Sequence, residues 1–130
     1  ALALSTTLFG CNTFGNEDDC GDCPGACTFD LRYIIINIQD TDGNPVELAA
    51  YNVIIKKTNE ELNITFKSSD KGRYVIAGDN HMDKLACNGT KVEFNYSLDG
   101  VKYNSETFLI GKDCCHIKWR DKKHQEIIIE

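Results

Sequence analysis

The sequence predicts an all-β fold, a single antiparallel β-sandwich of about seven strands that is stapled by disulfide bonds. Short runs of β-branched and aromatic residues alternate with turn-forming Gly, Pro, Asp and Asn along the chain, a pattern typical of antiparallel sandwiches. Helical periodicity is nearly absent from the sequence. The chain of 130 residues has room for one domain and contains seven cysteines.

The first strand is predicted over residues 28–40, TFDLRYIIINIQD. Apolar residues lie on both of its faces toward the middle, as in a central strand that is covered on both sides. The turn DTDGNP at 40–45 follows, because Asp and Asn tolerate left-handed backbone, Gly43 can take a positive φ and Pro45 fixes the exit. The next strand is predicted over 49–57. The two faces of the first strand carry Phe29, Leu31, Tyr33 and Ile35 on one side and Ile34, Ile36 and Ile38 on the other.

The middle of the chain continues the alternation of strands and turns. A hinge at Asn59–Glu61 leads to a predicted strand over 62–69, and a second turn leads into a strand within 70–78. Residues 79–89 are predicted to form a longer polar loop with one helical turn.

The clearest hairpin is predicted at residues 91–110. Its apolar residues alternate with polar ones up to the dipeptide Asp99–Gly100, which favours a two-residue primed turn. Two more strands, 114–119 and 126–130, complete the predicted sandwich. The alternating apolar residues of the hairpin are Val92, Phe94, Tyr96 and Leu98.

The charge of the chain excludes one class of partner. A net charge of −6 and a pI near 5.0 argue against nucleic acid or an anionic membrane surface as the main partner, since both attract clustered Lys and Arg. The densest basic group, KWRDKKH at 118–124, also contains an aspartate and predicts a solvated turn.

The first residues resemble the end of a bacterial lipoprotein signal. Residues 1–10, ALALSTTLFG, form a run of small and apolar residues that is too short for a transmembrane helix, which needs about 20. Residues 8–11, LFGC, resemble a lipobox, although Phe9 is bulkier than the residue usual there. This resemblance implies that Cys11 is lipidated and becomes the mature N-terminus. The alternative is that residues 1–10 form a first strand or an ordered arm.

The acidic stretch NEDDCGD at 16–22 resembles the tether of lipoproteins of Bacteroidota that are sent to the outer face of the outer membrane. The resemblance implies a signal remnant at 1–10, a lipidated cysteine with an acidic cysteine-rich tether at 11–27, and a sandwich domain at 28–130. It also implies a surface-exposed protein that contacts the outer membrane through its lipid anchor.

The fold resembles the immunoglobulin-like and transthyretin-like sandwiches, the latter also known as carboxypeptidase-regulatory-like domains. DTDGNPVELAAYNVII and SSDKGRYVI match the turns and strands of the transthyretin-like pattern, over residues 36 to 76. ELAAYNV lacks the glycine that the pattern usually has, and the C-terminal half lies outside the resemblance. Modules of this kind generally bind, space or present and are not catalytic.

The cysteines are predicted to form disulfide bonds. Without the lipidated Cys11 an even set remains, which allows three disulfides in fifteen connectivities. Adjacent residues on a strand point to opposite faces, so Cys114 and Cys115 should take separate partners, with Cys115 buried and Cys114 nearer the surface. We expect the region around Cys27 to be tied to this pair. The predicted disulfide cysteines are Cys20, Cys23, Cys27, Cys87, Cys114 and Cys115.

The sequence supports metal and catalytic sites less strongly than it supports disulfides. DTDGN, with Asp42 and Asn44, resembles the front of a calcium loop, but the closing glutamate is missing. No catalytic motif accompanies the three histidines, His81, His116 and His124, which are expected to be ordinary surface residues. A zinc site is an alternative to the disulfides, and its candidate ligands are Cys20, Cys23, Cys27, Cys114, Cys115 and His116.

These observations favour a non-catalytic, lipid-anchored binding or accessory module of an outer-membrane complex for transport, adhesion or secretion. We expect a protein partner in that complex and no cofactor or metal. One alternative is a pilin-like filament subunit that donates its N-terminal segment to a neighbour by β-augmentation. A second alternative is a small secreted metal-binding domain.

Overall fold

The computed structural model describes Cys20, Gly21, Cys23 and residues 25–130. The predictions made for residues 1–19, Cys11 among them, lie outside the described residues. Within them the chain forms two β-sheets with almost no helix and three disulfides, which confirms the predicted all-β, disulfide-stapled fold. A short 3-10 helix, Asp79–Lys84, replaces the predicted helical turn. The strands are β1 Tyr33–Asp40, β2 Ala50–Ile55, β3 Glu60–Glu61, β4 Arg73–Gly78, β5 Thr90–Ser97, β6 Asn104–Lys112, β7 Ile117–Trp119 and β8 Glu126–Ile129.

One sheet has three strands in the order β4-β1-β8, and the other has five in the order β3-β2-β5-β6-β7. All pairs are antiparallel except β1 and β8, which run parallel with Asn37 beside Glu126. This parallel pair departs from the purely antiparallel prediction. It arises because the chain crosses from β7 in the second sheet to β8 in the first, and so β8 lies beside β1 without a hairpin turn between them.

The core lies between the two sheets and is a single hydrophobic cluster. In β1 the burial alternates, so that Ile34, Ile36 and Ile38 point inward. The five-stranded sheet contributes Phe94 and Phe108, both fully buried. Removal of these apolar side chains from water is the main stabilising contribution to such a fold.

The first strand is shorter than predicted. Phe29 and Leu31 belong to no strand and are 102% and 68% exposed. The ladder between β1 and β4 ends where Tyr33 pairs with Gly78, and no strand lies beside residues 28–31 among the described residues. The prediction that the strand begins at residue 28 was therefore wrong, whereas the central position of β1 in its sheet was correct.

Residues 62–69 do not form the predicted strand. The short ladder of β2 and β3 ends at Glu61, and Leu62 makes one more backbone hydrogen bond, from its N–H to the carbonyl of Val53 at 2.8 Å. Leu62 is buried and Ile64 packs against the core, so the segment contributes apolar contacts without strand pairing.

The hairpin of β5 and β6 has a six-residue loop, 98–103, instead of the predicted two-residue turn. The register pairs Tyr96 with Asn104, so the strands stop short of Asp99. The Asp99 carboxylate accepts hydrogen bonds from the N–H groups of Val101 and Lys102, at 2.8 and 2.9 Å. These bonds give acceptors to two backbone N–H groups that a tighter hairpin would have paired across the strands. Leu98, in the same loop, is exposed.

The sandwich has two distinct ends. The segment before β1 and the start of β7 lie at one end, together with the 3-10 helix that follows β4. We call this the arm end, because Cys20, Gly21, Cys23 and residues 25–32 reach the sandwich there. The far end carries the turn at 40–45, the turn at 69–72 and the loop at 98–103.

Gly72 lies in the far-end turn and is required there for two reasons. Its φ is +76°, and a Cβ on it would lie 2.7 Å from the Cβ of Pro45 and 2.8 Å from the carbonyl oxygen of Ile38. Gly43 has a similar φ of +86° but no atom within 4 Å of the corresponding position. The two glycines thus separate the effect of backbone conformation from the effect of crowding.

We expect Gly72→Ala to destabilise the protein clearly more than Gly43→Ala. The left-handed backbone alone costs about 1 to 2 kcal/mol for a non-glycine residue, and overpacking adds about 1 to 3 kcal/mol at Gly72 only. Urea unfolding of both variants measures the difference. Equal losses would show that Pro45 and Ile38 move aside without cost.

Candidate functional site

The disulfides hold one segment of the chain, the arm, which we define as Cys20, Gly21, Cys23 and residues 25–32. Three disulfides attach it to the sandwich, and all six of their cysteines are those predicted. The bonded pairs are Cys20–Cys87, Cys23–Cys114 and Cys27–Cys115, with Cα–Cα distances of 5.1, 5.4 and 5.3 Å. Every partner lies at the arm end, so the arm is held along one end of the sandwich.

The adjacent cysteines lie in a bend between β6 and β7, not on the predicted strand 114–119. The Asp113 carboxylate accepts hydrogen bonds from the N–H groups of Cys115 and His116, each at 2.8 Å. These two bonds lower the pKa of Asp113 and turn the backbone. β7 therefore begins only at Ile117, and Cys115 is half-buried instead of buried.

His116 is 6% exposed, which corrects the prediction that it lies on the surface. Its Nδ1 lies 2.7 Å from Oδ2 of Asp79, whose side chain is only 9% exposed. Since an ionised carboxylate only accepts, Nδ1 carries the proton. The Asp79 carboxylate also accepts from the N–H groups of Ile117 at 2.7 Å and Arg32 at 3.0 Å. It thus joins the arm, the 3-10 helix and β7.

The pKa of Asp79 is the balance of two opposing effects. Burial raises the pKa of its carboxyl, but the hydrogen bonds from His116, Ile117 and Arg32 lower it by more, and the net shift is downward. Asp79 is therefore held in its ionised form within the fold.

The other nitrogen of His116 contacts the arm. Nε2 lies 2.8 Å from Oγ1 of Thr28, and the Thr28 hydroxyl also hydrogen-bonds to the carboxylate of Asp30. Asp30 forms an ion pair with Arg32 at 2.9 Å, and these two hydrogen bonds lower the pKa of Asp30 to about 2. We call Thr28, Asp30, Arg32, Asp79 and His116 the arm clasp.

The arm clasp has the geometry of a hydroxyl beside a histidine that a carboxylate orients. That arrangement can serve nucleophilic catalysis when the hydroxyl donates its proton to the imidazole. In this protein the Thr28 hydroxyl also bonds to the Asp30 carboxylate, which can only accept, so the two acceptors compete for one hydroxyl proton. The contacts of the clasp are therefore better suited to hold the arm than to release a nucleophile.

The clasp attaches segment 28–32 to the sandwich. The Thr28 side chain bonds to His116, and the Arg32 backbone N–H donates to Asp79. Phe29 and Leu31 lie between these two residues, and both present large apolar side chains to solvent.

The other two histidines have different surroundings. His81 is buried, which corrects its predicted surface position, and its Nδ1 accepts from the N–H of Gly78 at 3.0 Å. Its Nε2 lies 2.9 Å from the carbonyl oxygen of Asn63. His124 is exposed. His81 therefore joins the start of the 3-10 helix to the irregular segment 62–69.

The residues of the candidate metal sites are bonded to other groups of the protein. The disulfides use all five cysteine sulfur atoms of the zinc alternative, and no group of three metal-binding side chains is found in the part of the chain that the structure describes. In the calcium-like turn, the N–H groups of Asp42 and Asn44 both donate to Oδ1 of Asp40 at 2.9 Å. The Asp40 carboxylate thus closes this turn by hydrogen bonds.

The far end carries an open cleft between residues 47–51 and 67–74. Tyr51 lies in its wall and donates its hydroxyl hydrogen to the carbonyl of Val75 at 3.1 Å. Lys67 places its Nζ 5.2 Å from the centre of the Tyr51 ring, at the cation–π distance. Three apolar residues of the neighbouring loop, Leu98, Val101 and Tyr103, are exposed.

Comparisons with known proteins do not extend this description. No family model, no curated protein and no solved structure matches the chain. Among the described residues, no helix has the length and apolar character needed to cross a membrane.

Sequence reasoning missed Asp79, Thr28, Asp30 and Asp113. A signal existed for Asp113, because an aspartate two and three residues before the donating N–H groups is typical of an Asx turn. Asp79 stands directly after the predicted strand within 70–78, but its partner His116 is 37 residues away. Only the folded topology brings these two side chains together.

Proposed function

We propose that the chain is a non-catalytic, lipid-anchored binding or accessory module on the outer face of an outer membrane. The observation that supports this most is the attachment of the arm. All three disulfides and the arm clasp join the arm to one end of the sandwich. A lipid on Cys11 would therefore tether the arm end and leave the far end free to meet a partner.

The far end has surface features suited to a protein partner. Val101 is 84% exposed at the tip of the β5–β6 loop, beside the half-exposed Leu98 and Tyr103. Exposed apolar and aromatic residues are common in the centre of protein interfaces. The cleft lined by Tyr51 and Lys67 opens at the same end. A partner in a transport, adhesion or secretion complex would bind here, opposite the anchor.

The disulfides agree with an exported protein, because such bonds persist in oxidising compartments. The competition of His116 and Asp30 for the hydroxyl proton of Thr28 supports a structural role for the clasp over a catalytic one. Both observations fit a module that presents a surface.

Mass spectrometry of the native protein tests this function. We expect an acyl mass on Cys11 and loss of membrane fractionation in the Cys11→Ala variant, while Cys20 and the other five bonded cysteines stay unlabelled by a thiol reagent. An intact ALALSTTLFG in the mature chain would favour the filament alternative instead. Bound zinc together with free thiols would favour the metal-binding alternative.

A further inference from the structure

We propose that the arm end docks on the surface of the lipid bilayer through Phe29 and Leu31, as a second membrane contact beside the lipid anchor. This inference rests on the proposed function, because the anchor determines which end of the molecule faces the membrane. It adds a surface of the folded domain that binds lipid by itself.

The two side chains are unusually exposed for their size. Phe29 is 102% exposed and Leu31 is 68% exposed. They belong to segment 28–32, which is bonded to His116 through the Thr28 side chain and to Asp79 through the Arg32 backbone N–H. Cys27, two residues before Phe29, is bonded to Cys115. The segment is thus attached to the sandwich on both sides of Phe29 and Leu31.

The apolar surface continues onto the sheet. Tyr33 follows Leu31 on the same side of the chain, and its ring stacks on that of Phe66 with centroids 4.5 Å apart. Phe66 is itself 46% exposed. We define the apolar stripe as Phe29, Leu31, Tyr33 and Phe66.

The position of the anchor favours a bilayer as the occupant of this stripe. Cys11 precedes Cys20 by nine residues, so the two can be separated by at most about 30 Å of extended chain. Cys20 is bonded to Cys87 at the arm end. With an acyl chain buried in the membrane, the arm end is held within about 30 Å of the membrane surface, and the apolar stripe lies on that end.

The charges around the stripe favour neutral lipid headgroups over anionic ones. Asp30 is paired with Arg32, and Asp113 with Lys118 at 3.4 Å, so these charges largely cancel. The tether before Cys20 adds the acidic run Glu17, Asp18 and Asp19. Contact is therefore driven by apolar burial of Phe29 and Leu31 and not by attraction to anionic headgroups.

The test uses the full-length Cys11→Ala chain, which carries no acyl group. We expect it to cosediment weakly with vesicles of phosphatidylcholine and phosphatidylethanolamine. Adding F29A and L31A should reduce the partition coefficient by at least about tenfold, because burial of each large apolar side chain in the bilayer contributes to the binding free energy. The matched control adds L98A and V101A, which removes two exposed apolar residues from the far end, and should leave binding unchanged.

A fluorescence measurement gives the orientation independently. F29W in the Cys11→Ala chain should show quenching by brominated lipids beyond that of Trp119 alone, whereas V101W should not. Equal binding by the F29A/L31A and L98A/V101A variants, no vesicle binding at all, or quenching of V101W would overturn the docking surface. Circular dichroism and disulfide mapping confirm that the compared variants are folded.

The two proposals can fail separately. An acyl mass on native Cys11 without Phe29-dependent vesicle binding leaves the anchor and removes the docking surface. Phe29-dependent binding without an acyl mass removes the anchor and leaves a peripheral membrane contact.

Discussion

Removal of the Cys23–Cys114 and Cys27–Cys115 bonds together is expected to lower the free energy of unfolding by about 6 kcal/mol, more than the sum of the two single removals. The reason is that the two bonds are nested. Their cysteines are separated by 91 and 88 residues in sequence, yet the bonded pairs lie only a few residues apart along the chain. When one bond is present, it already closes most of the loop that the other would close.

The chain-entropy model gives the expected sizes. With one of the two bonds intact, the other closes a loop of about six residues and contributes about 2 kcal/mol. With both absent and Cys20–Cys87 intact, re-forming the first closes a loop of roughly 35 residues, measured through the Cys20–Cys87 bond, and contributes about 4 kcal/mol. The double removal therefore exceeds the two single removals by about 2 kcal/mol. A native stability of about 5 to 15 kcal/mol is typical of a domain, so the double variant should be close to unfolded.

Urea unfolding of the C23A/C114A, C27A/C115A and fourfold variants measures this coupling. Each pairwise variant serves as the control for the other, since both remove the same kind of bond between the arm and the same bend. Additive losses, within about 0.5 kcal/mol, would contradict the nested arrangement and place the two bonds in independent loops.

Much of the sandwich could be predicted because its strands carry local signals. The turn at 40–45 and the strands on either side of it were predicted from turn chemistry and from runs of β-branched and aromatic residues, and the structure has them. The predicted strand at 62–69 and the first five residues of the strand at 28–40 were wrong for one common reason. Both segments have strand-like composition, but neither has a neighbouring strand to pair with, and a local pattern does not contain that information.

The candidate site was predictable only in its covalent part. The even cysteine count and the divergence of adjacent residues indicated disulfides with separate partners for Cys114 and Cys115, and the structure pairs them in this way. The hydrogen-bonded part depends on Asp79, Thr28 and His116, which come from three separate segments. Their meeting follows from the order of the strands in two sheets, and no spacing along the chain encodes it.

Replacement of Asp79 by alanine is expected to destabilise the protein by about 2 to 5 kcal/mol, because each buried donor left without its acceptor costs about 1 to 3 kcal/mol. The variant leaves His116 Nδ1 and the N–H groups of Ile117 and Arg32 without their shared acceptor. Asp42→Ala is the matched control, because Asp42 is exposed and its loss should stay within about 0.5 kcal/mol. Urea unfolding at neutral pH compares the two variants.

The same variant should change how stability depends on pH. The pKa of Asp79 is lowered in the folded protein, while in the unfolded chain it returns to about 3.9. The ionised form is thus favoured by folding, and its contribution is complete above about pH 5 and is lost as the pH falls through the lower, folded-state pKa. The difference between wild type and Asp79→Ala should therefore shrink as the pH falls below about pH 4.

Asp30 keeps its own acid dependence in both proteins, since the pKa of its carboxyl is about 2 and its partner Arg32 is unchanged. Acid destabilisation will therefore be reduced in the variant and not abolished. A difference between wild type and variant that stays the same from neutral pH to about pH 3 would mean that Asp79 stabilises the fold by packing alone. The hydrogen bond between His116 and the arm would then depend on the neighbouring disulfides. In that case the Cys27–Cys115 bond alone would hold Phe29 and Leu31 in their exposed position.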